Sequence, residues 1–386
     1  MNSYPSSAVV AALLLTAACG EQPTDPNSDP TPGAIPGLRQ GSDPSRGEPR
    51  FVVTMTNATT ENEAVVFPRS ADGALGPPAR FATGGSGSGG GLGNQASIVL
   101  DDRAEHLYLV NAGSNTISVF AIRGNRLVRQ QTIASGGLQP ISLAVSDRLL
   151  YALNDGGTAN ITGFRIRHDG TLAPIGHSTR PLSVAAPDAA QIGFNRGERR
   201  LIVTEKATNT IVTYALDNDG RPGLPEVNPS SGATPFGFAV DPRGILLVSE
   251  AFGGAPNGSA VSSYRLRRGA LWPISASVGT TETAACWVAV SGDGQFAYVT
   301  NTASNTISGY RISPQGELTL LAADGVSGTT GMGPIDLATR SGLDFMYSLN
   351  RTGGSISFFR VKPTGAIEPG GTTGGLPTSA NGLVVF

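Results

Sequence analysis

Apolar residues in this chain come in short runs of about four to eight, separated by clusters of Gly, Asn, Asp, Ser and Pro, which is the pattern of strands joined by tight turns. One phrase recurs and is clearest as Tyr298-Val299-Thr300-Asn301, a loop, then Thr306-Ile307-Ser308-Gly309-Tyr310-Arg311-Ile312 and a turn glycine at Gly316. Each copy predicts an apolar strand ending in a polar residue, a short loop, a second strand closed by an aromatic residue, and a glycine turn. The strand-end residues are Asn57, Asn111, Asn154, Glu205, Glu250, Asn301 and Asn350. The aromatic residues are Phe67, Phe120, Phe164, Tyr214, Tyr264, Tyr310 and Phe359, and the glycines are Gly73, Gly124, Gly170, Gly220, Gly269, Gly316 and Gly365. A repeat of about fifty residues is one supersecondary unit copied many times.

Six further apolar runs precede the second to seventh copies, at 98–100, 141–145, 191–194, 236–240, 287–290 and 335–337. No such run precedes the first copy, which starts at Phe51; the seventh run is Gly382-Leu383-Val384-Val385-Phe386 at the other end. The pattern therefore predicts an all-β, seven-bladed β-propeller of four-stranded blades over 51–386, its ring closed by the C-terminal strand pairing with the N-terminal blade. Closure removes free sheet edges, so the fold needs no partner chain, and a monomer is expected.

Residues 1–19 read as a signal peptide: Ala8–Ala18 is too short to span a bilayer, and Cys19 after small residues looks like the end of a bacterial lipobox. Lipidation at Cys19 followed by a Pro-, Asp-, Ser- and Gly-rich tether over 20–50 would make this a periplasmic or cell-surface lipoprotein, or else a secreted protein, with membrane contact only through the anchor. Cys286 then has no partner within the chain and reads as a small core group. A net charge of −2 with scattered cations gives no field for nucleic acid.

Candidate chemistry falls where the starts of the inner strands meet the ends of the second strands, at one mouth of the channel. Glu205 and Glu250 replace Asn in adjacent blades, so a carboxylate pair with Lys206 beside it is the candidate catalytic group. Gln191, Phe236, Trp287 and Asp336 at the inner-strand starts, with Asn301 and Arg351, are the candidate substrate-binding residues. The inner-strand starts differ most between copies, as a ligand surface would. Asp217-Asn218-Asp219-Gly220 falls on the turn position and reads as a hairpin. His106, His168 and His177 lie in unrelated parts of the repeat, and no metal or cofactor site is assigned. The run Gly84–Gly93 has no following helix or Lys and reads as a flexible loop.

The Tyr-Val-Thr-Asn phrase at Tyr298–Asn301 with Ser304-Asn305-Thr306-Ile307 resembles the repeat of the YVTN propellers, and the whole of 51–386 is similar to the bacterial lactonase family that includes 6-phosphogluconolactonase and the 3-carboxymuconate lactonising enzymes. The resemblance implies a seven-bladed propeller opening small lactones. It also implies a His and an Arg at inner-strand starts and a Glu just after a second-strand Asn; here two of those starts read Ala189-Ala190-Gln191-Ile192 and Pro235-Phe236-Gly237-Phe238. The expected ligand is a small lactone or a carbohydrate. The alternative is a non-catalytic propeller binding carbohydrate or protein at the cell envelope.

Overall fold

The structure is a computed structural model that describes Met1 and residues 51–124, 126–339 and 344–386. Apart from Met1, the expected signal peptide, Cys19 and the tether lie outside the described residues. Among the described residues the strands form seven sheets, and a single helical turn, Phe252–Gly254, is present. Each sheet is a four-stranded antiparallel meander, with a short extra strand in the third and sixth blades. The inner strands are Asn381–Val385 for the first blade, then Ile98–Leu100, Leu138–Val145, Ala189–Phe194, Pro235–Val240, Ala285–Val290 and Pro334–Thr339.

The chain closes as its repeat predicts. Phe51–Met55 pairs with Asn381–Val385, and the amide of Phe51 donates to the carbonyl of Phe386 at 2.6 Å, with the reverse bond at 2.9 Å. The seven repeat aromatics that close the third strands are all buried between the sheets. Apolar side chains fill the spaces on both faces of the sheets, so the stabilising area is spread over five buried clusters, the largest running from the first blade to the fourth.

The turn glycine has two reasons to be glycine. Its φ is positive, +93° at Gly73 and +86° at Gly365, where a side chain is strained. It also packs against the preceding blade: a Cβ on Gly365 would lie 2.3 Å from the Phe296 ring, and one on Gly73 would lie 2.5 Å from Phe345. Tyr298 and Tyr347 donate their hydroxyls to the carbonyls of these same two glycines, both at 2.9 Å. His106 fills the corresponding place against Gly170, which explains its burial without invoking a metal.

Candidate functional site

Pro140, Ala189, Pro235, Ala285 and Pro334 each pair with the polar end of the neighbouring second strand, and the ladder breaks register just after each of them. A break of this kind frees a backbone N–H that must find another acceptor. The preceding blade supplies it: Ile192 N donates to Ser142 Oγ at 3.1 Å, Phe238 N to Gln191 Oε1 at 2.6 Å, and Leu383 N to the Asp336 carboxyl. Gln191 completes the clamp by donating from Nε2 to the Phe238 carbonyl at 3.0 Å. The variety among inner-strand starts is therefore partly a variety of caps. This corrects the expectation that Gln191 and Asp336 face a ligand, since both are buried and committed to backbone groups.

Glu205 and Glu250 are corrected in the same way. Both are 0% exposed, and their carboxylates are committed to loop amides and hydroxyls. Glu205 accepts from Ser183 N at 2.9 Å, from the Ser183 hydroxyl, and from Thr208 and Thr210 hydroxyls at 2.9 and 3.1 Å. Glu250 accepts from Gly232 N at 2.8 Å and from the hydroxyls of Ser262 and Ser277 at 2.5 and 2.7 Å. Asn301 plays the ordinary version of this role, donating to Thr306 and Ser308 at 3.0 and 2.9 Å, and it too is buried inside its blade. An Asn donates where a Glu accepts, so the carboxylates reverse the direction of the loop-closing bonds. Glu205→Gln keeps one acceptor oxygen; it is expected to cost about 1–3 kcal/mol of stability and to leave any hydrolysis rate unchanged, as thermal melts and turnover would show.

Asp336 carries a second testable consequence. Burial pushes its carboxyl up to about 8 from an ordinary 3.8, opposed by the amides of Leu337 and Leu383. The folded state thus holds a proton that the unfolded chain releases, and the resulting stability is complete below the ordinary value and is lost as pH rises through 8. Asp336→Asn should melt like the wild type at about pH 3 and several degrees above it at about pH 9.

Three of the candidates do converge. The Lys206 ammonium lies 4.8 Å from the centre of the Phe236 ring, and the Phe236 and Trp287 rings are 5.0 Å apart, joining the fourth, fifth and sixth blades at the mouth. Lys206 pairs with Asp188 Oδ1 at 3.1 Å; the lysine is 9% and the aspartate 63% exposed. Cys286, next to Trp287, is a buried thiol pushed up to about 12 by desolvation, which makes it a poor nucleophile. Arg351 reaches the same face from the seventh blade, its guanidinium beneath Gly91.

The residue that the repeat pattern passed over is Asp155. It follows Asn154, the strand-end Asn of the third blade, which is the place the family resemblance assigns to an acid. Desolvation raises its carboxyl above the usual range, against the Ala189 amide, which donates at 2.9 Å, and the Lys206 charge. Asp155, Asp188 and Lys206 thus form one electrostatically coupled group at the junction of the third and fourth blades.

The segment Gly84–Gly93 is a loop, and with Asn94–Ala96 it crosses the mouth. Lys206 Nζ donates to Gly93 O at 2.7 Å, Trp287 Nε1 to Asn94 O at 2.5 Å, and the Asn94 amide to Ile141 O. Gln95 clamps Val288 as Gln191 clamps Phe238, with bonds of 2.9 and 3.0 Å. It stands in for a side chain at Gly237, where a Cβ would lie 2.5 Å from the Cys286 carbonyl.

Two recesses lie toward the other ends of the inner strands. One of about 420 Å³ is lined by inner-strand ends including Leu100, Val290, Leu337 and Val385, and a groove of about 400 Å³ runs between the second and third blades. In that groove Asp101, Glu105 and His106 offer ligand atoms within 4.8 Å of one another. The Asp101 carboxylate already accepts from the amides of Glu105 and His106, and its Oδ2 lies 2.8 Å from His106 Nδ1, so these bonds order the turn and hold the ring.

Residues 60–185 and 259–381 match the profile of the family described as lactonase, 7-bladed beta-propeller. An uncharacterized protein of Lactococcus lactis is 24% identical over 293 residues, 71% of this chain and 83% of its own. The periplasmic gluconolactonase of Pseudomonas aeruginosa superposes with a TM-score of 0.68 at 16% identity, covering 88% of this chain and 99% of its own. A Bacteroides fragilis protein assigned to the 6-phosphogluconolactonases gives 0.68 at 16% identity, covering 89% and 100%. These structures share the fold, and the profile match spans well over half of the sequence: the chain belongs to the lactonase family of seven-bladed β-propellers.

Proposed function

We propose that this protein is an exported lactonase-type hydrolase that opens a small sugar lactone at the mouth formed by the third to sixth blades. The observation that carries this reading is the convergence there of a desolvated carboxyl, Asp155, with the buried ammonium of Lys206 and the Phe236–Trp287 ring pair. Ring opening needs a base for water and a donor for the oxyanion. Asp155 takes a proton from water, whose oxygen bonds to the lactone carbonyl carbon; Lys206 holds the resulting oxyanion; collapse breaks the ring ester bond, and the departing alkoxide takes the proton back from Asp155. The aromatic pair supplies a wall for the sugar ring.

Export rests on the apolar run Ala8–Ala18, and Cys19 is proposed as the lipidated residue. The catalytic reading is tested by acid release from glucono-1,5-lactone and aromatic lactones by the purified mature protein. Because only the Asp155 carboxylate can act as base, kcat/KM is expected to rise with pH and level off above the ordinary carboxylate range. Turnover on no lactone of the panel would sink the hydrolase and favour a binding propeller.

A further inference from the structure

The ring pair and Lys206 are largely closed to solvent in this conformation. Trp287 is 4% and Phe236 8% exposed, and the Lys206 side chain 9%. What covers them is the connection from the outer strand of the first blade to the inner strand of the second, Thr83–Ser97, much longer than the corresponding Ser135–Gly137 between the second and third. Two donors of the mouth, Lys206 Nζ and Trp287 Nε1, both donate to carbonyl oxygens of consecutive residues in this connection, Gly93 and Asn94.

We propose that residues 86–94 form a flap occupying the place of the ligand, and that the Gly93 and Asn94 oxygens mark where two oxygen acceptors of a small hydroxy acid or its lactone are held. The flap is built to leave. It has glycine at 87, 89, 90, 91 and 93, of which 89 and 93 have positive φ. Its tip is held at the strand end around Asn57: Asn57 Nδ2 donates to Gly90 O at 2.6 Å and to Ser88 Oγ at 3.0 Å, Asn57 Oδ1 accepts from Ser88 N at 3.0 Å, and the Gly87 and Gly89 amides donate to the Ala58 and Asn57 carbonyls at 2.7 and 2.8 Å. Leu92 is its one buried apolar side chain. Gln95, by contrast, caps a backbone group of the sixth blade and stays as the pivot.

The inference rests on the mouth being the ligand site, and the test separates the two. Hydrogen exchange of wild-type peptides spanning 84–96 is followed with and without gluconate, whose binding is titrated by calorimetry. Gluconate is expected to bind and to speed exchange there. Leu92→Ala, which removes the latch, and Asn57→Gly, which suits the φ of +49° at that position, are each expected to bind gluconate about tenfold more tightly and to raise kcat/KM similarly, because the open fraction grows. Binding or hydrolysis with unchanged exchange over 84–96 and no gain in either variant would overturn the flap and leave the mouth reading standing. Neither binding nor hydrolysis in the wild type and both variants would overturn both.

Discussion

Lys206→Met should lower kcat/KM for lactone hydrolysis by about 10²–10³, the usual loss when one oxyanion donor is removed from a preorganised site. Met keeps most of the length and apolar stem, so contact with Phe236 survives while the charge is lost. The ion pair with Asp188 is a small stability term, because Asp188 is 63% exposed, and pairs of that kind are worth about 0–1 kcal/mol. A melting temperature close to wild type with kcat reduced and KM little changed would place Lys206 in the transition state. Asp155→Asn should cost about 10²–10⁴ and abolish the rise of rate with pH. If both variants turn over at the wild-type rate, the chemistry sits elsewhere; the recess of about 420 Å³ at the opposite mouth would be the next place to look.

Removing Asn381–Phe386 should unfold the protein rather than trim it. The six residues contribute the inner strand of the first blade and the buried side chains of Leu383, Val385 and Phe386. At about 1.5–3 kcal/mol each, those side chains alone approach the lower end of the roughly 5–15 kcal/mol that holds a typical domain together. The deletion would also leave the Phe51–Met55 edge unpaired in the channel wall, a template for aggregation. Because Phe51 and Phe386 exchange both backbone bonds, a two-residue hairpin turn can join them. A permuted chain carrying 381–386 ahead of Phe51 is expected to recover soluble expression and a single cooperative melt. Failure of the permutant, or a stable truncated protein, would show that ring closure is not the source of stability.

Much of this architecture is visible in the chain because a propeller is periodic. Seven copies of one phrase give seven independent readings of the same local preference, and a glycine kept at each turn reports a φ constraint at every one. The strand-end Glu residues show the limit of that logic. Departure from Asn in the repeat signals a change but not its direction, and hydroxyls at Ser183, Thr208 and Ser277, partly from outside the phrase itself, decided that the change was internal. Asp155 was readable in principle as the acid directly after Asn154, yet only its partial burial and its coupling to the Lys206 charge distinguish it from an ordinary loop carboxylate.

Strand order, blade number, closure by the last strand and the presence of turn glycines were determined by sequence alone, because they follow from local geometry repeated at a fixed spacing. Which inner-strand residues serve as caps, that Gln95 substitutes for the missing side chain at Gly237, and that a glycine-rich connection spends the donors of Lys206 and Trp287 were decided by tertiary structure. Those contacts join residues of different blades, some nearly two hundred positions apart, and no local pattern records which side chain will reach across a channel.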